Sequence, residues 1–520
     1  MQQEATRKPR DWFSICSWIA LILIFAALVL FMAAHSEDLL DADMSSELVL
    51  AKQLAAGGGI LSDNWYYSTE LRVLNTQLVY SAFFHVTDDW RMVRILSNVT
   101  LYLVLLASYF FFCRRQGIER YFPLSAAILL LPLSAPYFYI LLYGAYYIPR
   151  VSIMFVILGT LLPMNAPKRK ASTILLTLIA CLLSFALGLE GARMLLVLFL
   201  PLALVVGAEL CKRLLVPKQD RLARLQQDGF IRYLLQAFLA CCAALAGFVL
   251  NQKVLIDRYP FEQIGALSPK LTLNGIYGTL YNQIHVFGSS PAGTAISAVL
   301  WLALGALLVW YVFHKAEKRA PARRYVWLTL VAWACYTAFC CLIQFGQVAW
   351  HVVPIAVLFL PAAVIALREI KMRLVLRRLL CLAIGLCFLL LGLQGYAEFE
   401  NWTVRKEIRT SASYRKIADT LEEAGYRNGY ATFWNANILT ELSDGNIDIW
   451  CVEAFDATTP QHPAIYRWLQ AKTHDTDRPN GKTFAVWSAE EYETYGKQAF
   501  PYLGEVLYQD SAFVVFDVTE

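Results

Sequence analysis

The sequence is poor in charge and in cysteine that could form cross-links. Lys, Arg, Asp and Glu together make up 16% of its 520 residues, and the formal net charge is only +5. Of twelve cysteines, all but Cys451 lie inside apolar runs or at their ends. A lone cysteine cannot form a disulfide within its own domain, and no CxxC pair indicates zinc. The basic residues form no nucleic-acid-binding face, so we expect no nucleic acid partner.

Long hydrophobic runs are what the sequence has instead. Hydrophobic residues make up 58% of the chain and the mean hydropathy is +0.48, more than a water-soluble globule needs. The pattern predicts a polytopic α-helical membrane protein with about eleven spans. The first run follows three basic residues and lacks a small-residue cleavage site, which indicates a retained signal anchor. The predicted spans are 12–34, 95–113, 122–142, 148–164, 173–189, 194–210, 231–250, 292–313, 325–345, 352–367 and 379–394.

Every second loop between the predicted spans is basic. By the positive-inside rule these loops and the N-terminus are cytoplasmic, and an odd number of spans places the C-terminus outside. The first outer segment, 35–91, is strongly acidic, and six of the seven histidines also fall on the outer side. We therefore expect a multi-pass plasma membrane protein whose chemistry lies on its extracytoplasmic face. The basic clusters are Arg7/Lys8/Arg10, Arg114/Arg115/Arg120, Lys168/Arg169/Lys170, Lys212/Arg213/Lys218/Arg221/Arg224, Lys315/Lys318/Arg319/Arg323/Arg324 and Arg368/Lys371/Arg373/Arg377/Arg378.

The apolar spans end near residue 395, where the composition becomes that of a soluble domain. We expect a transmembrane domain over 1–395, with long outer loops at 35–92 and 251–291, and a small extracytoplasmic α/β domain over 396–520. This domain would bind a partner, cover the site or give structural support. Its predicted elements are helices at 414–424 and 463–470 and strands at 430–434, 447–451, 483–487, 504–508 and 512–518.

The richest polar stretch follows the first span and contains Asp41, Asp43 and Glu47. Close carboxylates raise one another's pKa, which favours a general base, and an Asp-x-Asp spacing can also bind a divalent cation such as Mg²⁺ or Mn²⁺ against phosphate. A simpler interpretation is that Asp43 caps an amphipathic helix over 44–56, which three glycines then end. Asp41 is less easily explained as a cap, so it is the first candidate for the base.

The same outer segment contains aromatic and charged residues close together. Trp65 and Tyr66 suit the faces of a sugar, while Arg72, with Glu70 nearby, suits a phosphate. The alternative is that the aromatic residues form an interfacial belt and that Glu70 and Arg72 are a solvated pair.

Further charges lie at the outer ends of spans, where short loops cannot carry them into water. Glu190 and Arg193 are three residues apart, so an ion pair within one helix would explain them. Arg150 has no acid within one helical turn, which makes it the better candidate for a phosphate ligand. His351 is a further candidate for contact with an anionic group.

With these residues in view, the layout resembles the GT-C superfamily of polytopic glycosyltransferases, which includes protein O-mannosyltransferases and lipid A aminoarabinose transferases. The resemblance covers the architecture of the whole chain and rests on Asp41-Ala-Asp43 directly after the first span and on the amphipathic loop behind it. It implies that Asp41 or Asp43 deprotonates an acceptor hydroxyl, which displaces polyprenyl phosphate from a lipid-linked sugar. Arginines such as Arg72, Arg150 and Arg193 would hold the leaving phosphate.

The motif differs from the adjacent Asp-Glu pair frequent in mannosyltransferases, which leaves the base and any need for metal open. Two other function classes fit the same residues. A flippase for lipid-linked glycans would need a cavity and arginines but no general base. Such transporters often contain internal repeats, and this chain has no convincing one. A non-catalytic assembly protein would use the tail to bind a partner. The expected partners of the enzyme are the lipid bilayer, a polyprenyl-phosphate sugar donor and a glycan, lipid or protein acceptor.

Overall fold

A computed structural model of the chain describes residues 12–69, 71–164, 170–261, 269–288, 290–314, 320–343, 349–406, 408–453, 464–496 and 504–519. The described chain is mostly helical and ends in a small sheet. The helices are α1 (Trp12–His35), α2 (Ala42–Gly57), α3 (Thr76–Phe84), α4 (Trp90–Arg115), α5 (Phe122–Leu129), α6 (Ala135–Tyr137), α7 (Ile148–Leu161), α8 (Lys170–Leu189), α9 (Ala192–Met194), α10 (Leu200–Leu214), α11 (Lys218–Gln226), α12 (Phe230–Leu250), α13 (Ile256–Arg258), α14 (Leu273–His285), α15 (Pro291–His314), α16 (Ala320–Ile343), α17 (Val353–Glu369), α18 (Leu374–Lys406), α19 (Ile408–Glu423), α20 (Phe433–Leu442), α21 (Thr473–Thr476) and α22 (Ala489–Glu491).

Short turns of other helical types connect several of these helices. In this protein, wider π-helical turns, a type often found at functional sites, cover Phe138–Tyr143, Leu195–Phe199, Asn251–Leu255 and Tyr492–Gly496. Tighter 3₁₀ turns cover Glu119–Tyr121, Gln227–Gly229 and Ala349–Val352.

The predicted membrane fold is confirmed, with fewer straight spans than expected. The described residues of the eleven predicted spans lie mostly on helices. Among the described residues, eight helical stretches are long and apolar enough to cross a membrane, and a bent pair makes up to nine. The span predicted over 352–367 is α17, which has only 17 residues. The span predicted over 122–142 breaks between α5 and α6, where Pro132 lacks the backbone N–H that a continuous helix requires.

Basic residues at the ends of several helices lie at one end of the bundle, because Tyr325, next to Arg324, packs on Phe112 near the end of α4. We call this the lower end, and the opposite end, which contacts the sheet, the upper end. At the lower end, Arg368 of α17 donates to the carbonyl of Gly117 after α4 at 2.7 Å. At this end, Arg324 of α16 also forms an ion pair with Glu209 of α10, with Nε 2.8 Å from Oε2.

Helices α8 and α12 approach each other closely through glycines. A Cβ atom added at Gly188 would lie 2.0 Å from the carbonyl oxygen of Ala244, and one added at Gly247 would lie 2.1 Å from that of Phe185. Small residues of this kind let two spans bring their backbones together in lipid, where packing is the main attraction between helices.

Replacement of Gly247 by alanine is therefore expected to destabilise the bundle by about 1–3 kcal/mol, because backbone atoms must move apart. Thermal unfolding of the detergent-solubilised protein measures this effect. Gly207 in α10 is the matched control, because a Cβ atom there would meet nothing within 4 Å. Equal Tm values for the Gly247→Ala and Gly207→Ala variants would show that the close approach is not required.

The C-terminal sheet has five strands, β1 (Asn428–Thr432), β2 (Asp448–Val452), β3 (Thr483–Ser488), β4 (Val506–Gln509) and β5 (Phe513–Asp517). Their order is β2-β1-β3-β5-β4, with β1 parallel to β2 and β3, and β5 antiparallel to β3 and β4. The five predicted strands are confirmed, with shifted ends. The helix predicted over 463–470 is wrong for its described residues, 464–470, because Ile465 instead forms a β-bridge with Val452.

The segment between α1 and α4 and the sheet region share one apolar core. Leu54 and Trp65 from this segment are buried in the same cluster as Ile417 and Leu439 from the chain after α18. Helix α2 also packs against α20. The sheet region is thus seated directly on the helix that follows the acidic turn.

Candidate active site

Helix α2 follows the acidic turn after α1 and begins two residues earlier than predicted, at Ala42. Asp41 is the N-cap: its backbone is extended, and its Oδ1 accepts a hydrogen bond from the backbone N–H of Met44 at 2.7 Å. The interpretation that Asp43 caps this helix is therefore wrong, and Asp41, which seemed less easily explained as a cap, is the cap. The predicted end of the helix is confirmed, because Gly58 follows Gly57 in the left-handed conformation with φ of 71°.

Asp43 lies in the first turn of α2, and its side chain is exposed to solvent. The surrounding protein nevertheless desolvates its carboxyl group, which raises its pKa; the nearby charge of Arg72 lowers that pKa, and the charge of Glu47 raises it. A carboxylate with a raised pKa that water and substrate can still reach has the properties of a general base.

Glu47 holds Arg72 beside Asp43. The Glu47 carboxylate is buried and accepts from Arg72 Nη1 at 2.8 Å and from the Thr76 hydroxyl at 2.9 Å. The Arg72 guanidinium in turn lies 5.7 Å from the centre of the Tyr146 ring. Sequence reasoning missed Glu47 as a site residue, although it follows Asp43 by four positions and so shares its face of α2.

A broken span brings aromatic residues to the same place. The helix over Ala135–Tyr143 and α7 meet at an angle of 80°. In the bend, Ala145 has φ of 55°, a left-handed conformation that is strained for a residue with a Cβ atom. A Cβ atom on Gly144 would lie 3.0 Å from the Met44 side chain, so the bend packs tightly against the start of α2. Tyr146 is within electrostatic reach of both Asp41 and Asp43.

The next residue, Tyr147, lies between two arginines. The guanidinium groups of Arg150 and Arg193 each lie 5.7 Å from the centre of its ring, and Arg193 Nη1 donates to its hydroxyl at 2.5 Å. Arg150 Nε donates to the Glu190 carboxylate at 2.6 Å in a fully buried ion pair. Glu190 thus has a partner from another helix. Gly191, with φ of 95°, breaks the chain between α8 and α9 and lets Glu190 and Arg193 approach the bend together.

Two predicted sugar-binding residues lie elsewhere. Trp65 is only 1% exposed and belongs to the shared apolar core, so it cannot stack on a sugar. Tyr66 lines a separate cavity of about 780 Å³ beneath the sheet region, where its hydroxyl donates to Asp475. Glu70 lies outside the described residues. His351 is half-buried in the turn Ala349–Val352, which packs against α6 and α14.

The predicted cation site at Asp41 and Asp43 would need oxygen donor atoms from carboxylates. Across the described ranges, no group of three or more His, Cys, Asp and Glu side chains is placed to hold a metal ion. One oxygen of Asp41 is already used by the helix cap. Mg²⁺ often takes only one or two carboxylates from a protein together with substrate phosphate, so a cation at Asp41 and Asp43 stays a prediction.

Known proteins resemble this chain in structure. No protein-family model matches it, and no curated protein matches it in sequence. Nine chains of solved structures match. One is a crystal structure of ArnT from Cupriavidus metallidurans bound to undecaprenyl phosphate, with a TM-score of 0.55, 13% identity and coverage of 95% of this chain and 97% of that chain. Another is ArnT from the same organism in the apo state, with a TM-score of 0.54, the same identity and the same coverage.

At this level of identity the likeness establishes the fold. It extends over the membrane helices and the C-terminal region together, because 95% of the chain is covered. The chain therefore has the fold of these ArnT crystal structures, a polytopic membrane fold of the kind that the sequence predicted.

Proposed function

We propose that the protein is a glycosyltransferase that moves a sugar from a polyprenyl-phosphate donor to an acceptor at the extracytoplasmic face of the plasma membrane. The observation that carries the proposal is the convergence of Asp43, with its raised pKa, and three arginines around the bend at 143–150. The ArnT fold supports the donor class, because one ArnT structure contains undecaprenyl phosphate. The upper end of the bundle then faces outward, and the basic lower end faces the cytoplasm.

In this proposal Asp43 is the general base. Its carboxylate takes the proton from the acceptor hydroxyl, and the acceptor oxygen forms a bond to the anomeric carbon. The bond between that carbon and the phosphate oxygen breaks, and polyprenyl phosphate leaves with the electron pair. A single displacement of this kind inverts the anomeric carbon. Asp41 acts as a positioning residue, because it fixes the first turn of α2 through Met44.

The arginines differ in how easily a ligand can reach them. Arg150 is only 3% exposed, and its guanidinium is paired with the buried Glu190 carboxylate. Arg193 and Arg72 are each partly exposed. We therefore assign phosphate binding to Arg193, with help from Arg72, and give Arg150 the role of holding Glu190 and Tyr147 in place. Arginine charge aimed at the phosphate would supply the stabilisation that a divalent cation supplies in other transferases.

Release of polyprenyl phosphate tests the proposal directly. Purified protein is given a polyprenyl-phosphate sugar donor and a membrane extract as the acceptor source, and the free lipid phosphate is measured. Arg193→Gln is expected to raise the KM for the donor by about ten- to a hundredfold, the loss for one charged hydrogen bond to phosphate. Arg427→Gln is the matched control, since Arg427 is an exposed arginine of the sheet region. Transport of the donor across a bilayer without lipid phosphate release would instead identify a flippase.

The pH dependence of transfer should follow the groups that act on the pKa of Asp43. Asp43 is competent as a base only when ionised, so activity falls as the pH drops through its pKa. Because Glu47 raises that pKa, Glu47→Gln is expected to move the acid limb of the kcat/KM profile to lower pH. Arg72→Met removes a charge that lowers the pKa and should move the limb to higher pH. An unchanged limb in both variants would exclude Asp43 as the titrating group.

A further inference from the structure

The lower end of the bundle contains a cavity of about 1110 Å³ between α10, α16 and the turn before α12. It is far from the candidate active site. Arg193 and Arg213 lie on the same span, Ala192–Leu214, and their separation of twenty positions corresponds to about 30 Å along a helix. Any ligand of this cavity is therefore distinct from the lipid-linked donor at the upper end.

Glu209, Arg213 and Arg324 form a network of ion pairs in the wall of the cavity, which we call the ionic framework. The Glu209 carboxylate accepts from Arg324 Nε and Nη2, both at 2.8 Å, and from Arg213 Nη2 at 2.6 Å. The two guanidinium groups also pack on rings: Arg213 lies 4.5 Å from the centre of Phe230 and Arg324 lies 4.6 Å from that of Tyr233. Shared ion pairs and ring contacts on both sides hold these arginines in fixed positions.

The framework leaves the cavity positively charged. Lys212, Arg224 and Arg323 line it in addition to the two framework arginines, while Glu209 and Asp228 are the acidic residues of the wall. Five cations against two carboxylates give a net charge of +3. Lys212 and Arg224 are exposed at its mouth. A ligand that carries a phosphate group would offset part of this positive charge.

The remaining wall is apolar and continues onto the surface of the spans. Leu204, Trp327 and Val331 line the cavity on the side toward the middle of the bundle. Leu204 is exposed, as expected for a residue that faces lipid chains, and tryptophan is typical of the level at which headgroups meet hydrocarbon. A ligand that fits both parts has an anionic head and apolar chains.

We propose that this cavity binds one anionic phospholipid, with its phosphate among Lys212, Arg224 and the framework arginines and its acyl chains along Leu204 and Val331. Basic pockets between spans are a known mode of recognition of anionic lipid headgroups. The site does not depend on the proposed transfer reaction, since no residue of the upper end contributes to it.

Native mass spectrometry of the full-length protein tests the site, with equal amounts of phosphatidylglycerol and phosphatidylcholine added in detergent. Wild type is expected to retain one phosphatidylglycerol in preference to phosphatidylcholine. Lys212→Gln with Arg224→Gln should reduce that retention by about 25-fold, since each cation near an anionic lipid contributes about a factor of five. These changes leave the Glu209 ion pairs in place, so the fold is retained.

The matched control removes the same charge from another loop at the lower end. Lys371→Gln with Arg373→Gln takes two exposed cations from the loop between α17 and α18 and should leave retention unchanged. Equal loss in both double variants, or no preference of wild type for phosphatidylglycerol, would overturn the proposal. Displacement of the lipid by inorganic phosphate would also overturn it, because the acyl chains would then contribute nothing.

Discussion

Asp43→Asn is expected to lower kcat for sugar transfer by about 10²–10⁴-fold, the usual loss when a general base is removed. The amide of asparagine keeps the size of the side chain but cannot take the acceptor proton. Donor binding should be retained, because Arg72 and Arg193 remain in place. The measurement is the rate of polyprenyl phosphate release at saturating donor, compared with wild type under the same conditions.

Stability separates the loss of a base from damage to the fold. Burial raises the pKa of Asp43, so the folded state disfavours its charged form at neutral pH. This contribution favours folding at low pH and is lost as the pH rises through the raised pKa. A neutral asparagine removes the cost of the charge, and the Tm of Asp43→Asn at pH 7 should therefore not fall below that of wild type.

Asp41→Ser is the matched variant for the other member of the motif. Serine is as good an N-cap as aspartate and can still accept the Met44 N–H, so helix α2 should start at the same residue. If Asp41 only positions the helix, this variant keeps most of the activity. Normal transfer by Asp43→Asn together with loss of transfer in Asp41→Ser would reverse the assignment and restore Asp41 as the base.

The exchange of roles between the two aspartates shows where sequence reasoning reaches its limit. Both residues precede the helix predicted over 44–56, and a start two residues earlier makes Asp41 the cap and brings Asp43 into the first turn. Capping preferences favour aspartate equally at either position. The position of the turn depends on contacts from distant segments, among them the packing of the Gly144 bend against Met44.

Most elements that depend on a few neighbouring residues were predicted, whereas contacts between distant segments were not, and the wrong helix over 463–470 lies where Ile465 pairs with Val452. The membrane helices and the strands follow from hydrophobic length and residue type within a few neighbouring residues. The Arg150–Glu190 pair joins residues forty positions apart, and the sequence offered Arg193 as a nearer partner for Glu190. The burial of Trp65 likewise depends on the sheet region, which covers it from more than 300 residues away.

The second large effect is expected at the ion pair between α4 and α20. Arg94 and Glu441 are 1% and 2% exposed, and they form two hydrogen bonds, Nε to Oε1 at 2.7 Å and Nη2 to Oε2 at 2.6 Å. Arg94 Nη2 also donates to the carbonyl of Met44 at 3.3 Å, next to Asp43. This one guanidinium therefore connects a membrane span, the helix of the proposed base and the sheet region.

Glu441→Gln is expected to destabilise the protein by about 3–5 kcal/mol, because it leaves the Arg94 charge buried without a counter-ion. The sheet region should then detach more readily, which limited proteolysis of the chain after α18 would detect together with a lower Tm. Asp63→Asn is the control: its pair with Arg258 is 58% and 66% exposed, and an exposed pair contributes about 1 kcal/mol or less.

The double variant Arg94→Met with Glu441→Met shows whether the unpaired buried charge of Arg94 causes the loss of stability in Glu441→Gln. Replacing both charges by apolar side chains of similar volume removes the desolvation cost as well as the attraction, so most of the stability lost in Glu441→Gln should return. Transfer activity should return only in part, since the bond from Arg94 to the Met44 carbonyl is also lost and the first turn of α2 is held less firmly. Wild-type activity in the double variant would mean that Asp43 is positioned by α2 and the 143–150 bend alone, without the sheet region.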